Sequence, residues 1–115
     1  MPADVATLLA WNEDQLLADL GASAGRGFGP SDLIRGGREI FDNCWSAVER
    51  VICTSEKLRA LQKVSAGDGS EVASAIIDLI AGLLHGIPAA TVAVLIVKRG
   101  LPHLCRTYWD EGPKP

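Results

Sequence analysis

The chain has 115 residues, 48% of them apolar before its 12 glycines are counted, and a net charge of −3. That length makes one domain with room for a substantial core. The charge is too small and of the wrong sign for an electrostatic nucleic-acid binder, so no nucleic-acid partner is expected.

The apolar share exceeds that of an ordinary domain, in which glycine is already counted within a similar figure. The surplus implies a face for a protein partner or for self-association. Charge is also uneven. Residues 1–25 carry Asp4, Glu13, Asp14 and Asp19 and no cation, whereas residues 26–66 carry seven basic side chains against five acidic. Such a division suits charge-complementary association.

In chain order, "ADVATLLA" predicts a short helix. "WNEDQLLADLG" predicts a second: Asn12 with Gln15 three residues on is a capping box, and Glu13 and Asp14 occupy the first turn, where the helix dipole favours anions. Trp11 and Leu16 stand at hydrophobic-staple spacing, and Gly21 reads as the helix stop. Residues 21–37 then read as a glycine-rich connection. It lacks the Gly-Lys pair of a phosphate-binding loop, and GxGxxG does not fit it. Within this connection Ser31 is expected to cap a short turn, "SDLIR".

From Arg38 a long amphipathic helix is predicted, since Ile40, Phe41, Cys44, Trp45, Val48, Val51 and Ile52 recur at three- and four-residue steps. Thr54 or Ser55 caps its continuation, "EKLRALQKV". Ser70 is expected to cap "EVASAIIDLIAGLLHG", whose apolar face holds Val72, Ile76, Leu79, Ile80, Leu83 and Leu84.

The most apolar stretch, "AATVAVLIVKRG", has strand propensity by itself. No second convincing strand exists to pair with it. Pro88 at the start, Gly100 past the end and Lys98 and Arg99 in the last turn are helix signals. The run from Ile76 to Val97 has the length of a membrane span. Gly86 and Pro88 place a corner inside it, which splits it into two short buried helices. "LPHLCRTYWDEGPKP" predicts a final short helix with Leu104, Cys105 and Tyr108 turned inward.

Cys44, Cys53 and Cys105 are odd in number and form no CxxC pair. Cys44 and Cys53 point about 180° apart on one helix, so three buried free thiols in a reducing compartment are expected. The N-terminus has no basic segment ahead of an apolar run, so no secretory signal is read and the cytoplasm is expected. His85 and His103 lack close Cys, His or carboxylate spacing for a metal. His103 and Cys105 point about 200° apart on a helix. No catalytic residue, metal, cofactor or small-molecule substrate is therefore assigned, and no enzymatic activity is expected. Asp78, an acid within the most apolar helix, either faces water, meets a cation such as Arg99 or Arg50, or makes an interface contact.

The fold class expected is all-α, a compact bundle of about five to seven short helices. Residues 1–109 form one helical interaction domain, and 110–115 a flexible tail or the start of a linker. In helix count, length and the packed "LLHGIPAATVAVLIVKRGL" segment, the chain resembles the small all-α adaptor modules of bacterial conflict and defence systems. These include effector-associated and death-fold-like (CARD-like) modules. The resemblance implies a non-enzymatic module that recruits or oligomerises effectors through helix contacts. Glu13, Asp14 and Asp19 are expected to face Arg35, Arg38 and Arg50 of another copy, with Asp78 as a further contact. The alternative is a membrane-inserting helical protein, toxin- or holin-like, using residues 72–99.

Overall fold

A computed structural model describes residues 5–23, 25, 29–64 and 69–109. Its helices are α1 (Val5–Leu9), α2 (Glu13–Ser23), α3 (Pro30–Cys53), α4 (Glu56–Val64), α5 (Ser70–Ile80), α6 (Ala89–Arg99), α7 (Leu101–Leu104) and α8 (Arg106–Trp109). The described residues contain no strand, so the fold is all-α. The tail at 110–115 lies outside the described residues.

"AATVAVLIVKR" is the central helix. Six consecutive residues of α6, Thr91 to Ile96, are buried, which is the pattern of a helix enclosed on every side. It packs against α1, α2, α5 and α7. Proline before it and Gly100 after it, the latter at φ +95°, turn the chain out of the core at both ends. The corner expected at 86–88 is present, with Gly86 at φ +75°. The apolar run is thus split, and no described helix is long and apolar enough to cross a membrane.

The N-terminal caps of α2 and α4 act as read. The Asn12 N–H donates to Gln15 Oε1 at 2.9 Å, and the Gln15 N–H donates to Asn12 Oδ1 at 2.8 Å. The Leu58 N–H donates to Ser55 Oγ at 3.2 Å, which makes Ser55 the cap of α4, while Thr54 closes α3 by donating to the Arg50 carbonyl.

Several expected boundaries move. Gly21 does not stop α2, which runs on to Ser23, and Gly36 and Gly37 lie inside α3 rather than before it. The connection expected over 21–37 shrinks to residues 24–29, of which 24 and 26–28 lie outside the described residues. Ser31 caps nothing, because Gly29 is the N-cap and Pro30 takes the first helical position, where its missing N–H costs little. Gly69, not Ser70, precedes α5.

The reason for the longer helices is interhelical. A β-carbon built on Gly21 would overlap the Leu33 carbonyl and stand 3.1 Å from the Gly37 nitrogen; one built on Gly37 would overlap the Leu17 carbonyl. The pairings 21 with 33 and 17 with 37 run in opposite directions, so α2 and α3 form an antiparallel pair in backbone contact. Mid-helix glycine costs about 1 kcal/mol relative to alanine, and this close approach offsets it.

Candidate functional site

The α3 residues Ile40, Asn43, Cys44 and Ala47 stand at positions i, i+3, i+4 and i+7 and so share a face. Opposite them runs the connection between α5 and α6, with Leu83, Leu84, His85 and Ile87. The two sides enclose a groove of about 280 Å³. Ile40, Cys44 and Leu84 are buried, whereas Leu83 is 47% exposed and His85 is exposed. Leu79 at 36% and Val51 at 37% are the other large apolar side chains left to solvent among the described residues. The sequence places Leu79, Leu83 and Val51 on the apolar faces of their helices. α5 ends at Ile80, so the chain leaves the helix before Leu83 and the apolar stripe is not continued inward.

Cys44 sits in this groove and is the free thiol. Burial pushes its pKa up, because the thiolate would lose hydration there. That is the reverse of the shift that activates a nucleophilic cysteine, even though His85 lines the same groove. The other two cysteines are joined: Cys53, at the end of α3, is bonded to Cys105, between α7 and α8. The expectation of three free thiols is overturned. Its spacing argument dealt only with Cys44 and Cys53 within one helix, and folding brings the chain end back to α3. A bonded pair is characteristic of oxidising surroundings, so these cysteines no longer argue for a reducing compartment.

The charged residues divide. Glu13 accepts from Arg99 Nε at 3.4 Å, and the same guanidinium lies 4.5 Å from the centroid of the buried Phe41 ring. Asp19 Oδ2 accepts from the buried Thr91 hydroxyl at 3.0 Å. Two of the three acids expected at an interface therefore tie α2 to α6 within the chain, while Asp14 is exposed. Arg35, Arg38 and Arg50 are all exposed on α3, with Arg35 3.7 Å from Asp32. Asp78 faces water and lines a shallow groove between α4 and α5 with Lys57, Leu61, Ser70, Glu71 and Ser74. Neither cation suggested for it comes to it: Arg99 is engaged by Glu13.

Among the described residues no group of three or more His, Cys, Asp or Glu could hold a metal ion, and no buried side-chain nitrogen or oxygen is left without a hydrogen bond. Comparison with known proteins finds no matching family model, no matching curated protein and no matching solved structure.

Proposed function

We propose that the chain is a non-enzymatic protein–protein interaction module whose contact surface is the groove between α3 and the 81–87 connection. The observation that carries this reading is the exposed Leu83 at the rim of an apolar groove. Folding alone would leave such a side chain with nothing to gain, whereas a partner's apolar side chain seated beside it removes both from water. Arg50 is exposed one helical turn beyond Ala47, with Arg38 and Arg35 exposed nearer the start of the same helix, so cations flank the α3 side of the proposed contact.

Self-association is the form of contact proposed, and recruitment of effector proteins is its use. A setting in bacterial anti-phage defence rests on the resemblance of the architecture to small helical adaptors and on nothing else.

The test is light scattering after size-exclusion chromatography, across a wide concentration range at low and high salt. It compares the parent chain with Leu83→Asp, Arg50→Glu and Arg38→Glu. The expected result is an oligomer that salt weakens and that each substitution shifts to monomer with unchanged far-ultraviolet circular dichroism. A parent chain that stays monomeric throughout, or an oligomer that survives Leu83→Asp, overturns the proposal.

A further inference from the structure

The C-terminal segment Leu101–Trp109 is folded as two helices of four residues each. Helices that short do not persist by themselves in water, so this segment depends on what fastens it to the bundle. Leu101 and Cys105 are buried, while Leu104, Tyr108 and Trp109 pack partly buried against the core. At its far end three contacts converge on the junction of α3 and α4. The Trp109 indole N–H donates to the Cys53 carbonyl at 2.8 Å. Arg59 Nη2 donates to the Trp109 carbonyl at 3.2 Å, with the guanidinium 5.6 Å from the indole centroid. The third contact is covalent, the Cys53–Cys105 bond, with Cα atoms 5.4 Å apart and a sequence separation of 52.

We propose that the Cys53–Cys105 disulfide is a redox-sensitive clasp. On reduction, Arg106–Trp109 leaves the α3–α4 junction, while the helices α2, α3, α5 and α6 stay assembled. The separation of the two effects follows from placement. The core around α6 is closed by residues of α1, α2, α5 and α7, whereas the clasp holds Arg106–Trp109. Among the described residues that segment is also tied to the junction by hydrogen bonds between the Trp109 indole and Cys53 and between Arg59 and the Trp109 carbonyl, and by the Arg59 ring contact.

A way in exists. A cavity of about 240 Å³, lined by Cys53, Thr54, Ser55, Glu56, Arg59 and Tyr108, opens beside the bond. The reductant is an external dithiol. One of its thiolates attacks the Cys53 sulfur, and the Cys105 sulfur leaves as thiolate and takes a proton. The second thiolate then attacks the mixed disulfide. Cys53 is released as a thiol, and the dithiol ends as a cyclic disulfide. Two electrons and two protons pass to the protein. Cys44 lies in the other groove, and burial keeps it protonated. It is therefore a poor internal nucleophile, and the bond exchanges with the external dithiol rather than within the chain. Release turns Tyr108 and Trp109 from packed side chains into exposed ones.

The experiment uses the full chain, air-oxidised and then treated with dithiothreitol under native conditions. Alkylation in denaturant should modify one cysteine, Cys44, before reduction and three after it. Brief trypsin digestion read by mass spectrometry should then show cleavage after Arg106 at least tenfold faster in the reduced chain, with far-ultraviolet circular dichroism nearly unchanged. The variant Cys53→Ser/Cys105→Ser should behave as the reduced chain does without reductant. Three modified cysteines before reduction overturn the proposal, as does equal cleavage after Arg106 in both states. Loss of most helical signal on reduction also overturns it, since the bond would then staple the whole bundle rather than clasp its end.

Discussion

Gly37 of α3 lies against the main-chain carbonyl of Leu17 in α2 with no room for a β-carbon between them. At an exposed mid-helix site, alanine in place of glycine adds about 1 kcal/mol of stability. Here the sign reverses, because the nearest neighbour is backbone and cannot turn aside. Gly37→Ala and Gly21→Ala should each lower stability by about 1–3 kcal/mol, the usual range for overpacking. Urea unfolding followed by circular dichroism measures it, and a stabilised Gly37→Ala would show that the two helices do not touch there.

Arg99 joins three helices, through Glu13 on α2, Phe41 on α3 and its own place at the end of α6. The ion pair is partly exposed, with 23% of the Arg99 side chain and 44% of the Glu13 side chain open to solvent. It is therefore worth no more than about 1 kcal/mol. The ring contact adds about 0.5–1 kcal/mol. Arg99→Ala should cost more than Glu13→Gln, and only the Glu13→Gln loss should vanish at high salt. Equal losses for the two variants would leave the Phe41 contact without energetic weight.

Thr91 is a buried polar residue of the core and donates to Asp19. Thr91→Val keeps the shape and removes the donor, leaving the carboxylate with one partner fewer. A loss of about 1 kcal/mol is expected. An unchanged unfolding midpoint would mean that water replaces the hydroxyl at no cost.

Cys44 titrates above its ordinary value of 9.0 because burial disfavours the thiolate. The sign follows directly. Stability from the neutral thiol is fully present below about pH 9.0 and is lost as pH rises through the higher folded value. Alkylation of native Cys44 should accordingly be slow at neutral pH and should accelerate on unfolding. Rapid labelling of the folded chain at neutral pH would contradict the burial.

Much of the fold is written in local sequence. The capping box at Asn12 and Gln15, the cap at Ser55 and the corner near Gly86 each involve residues within four positions of one another, and Pro88 and Gly100 each act at their own end of α6. Such signals act before any tertiary contact forms. The apolar continuity of Val92 to Ile96 likewise made α6 the helix to be enclosed.

What tertiary structure alone decided is where those helices meet. Gly21 and Gly37 carry the letters of helix stops, and only the approach of α2 to α3 turns them into contact points. Cys53 and Cys105 stand 52 positions apart, so no local spacing could pair them. Leu83 continues an apolar stripe in the sequence but reaches solvent because the chain leaves the helix at Ile80, whereas Leu79, still within α5, lies on a face that no other described element covers. Glu13 and Asp19 read as surface acids until α6 brings Arg99 and Thr91 to them. Helix formation depends on neighbours in the chain, whereas close packing, disulfide pairing and the surface left uncovered depend on residues that only folding brings together.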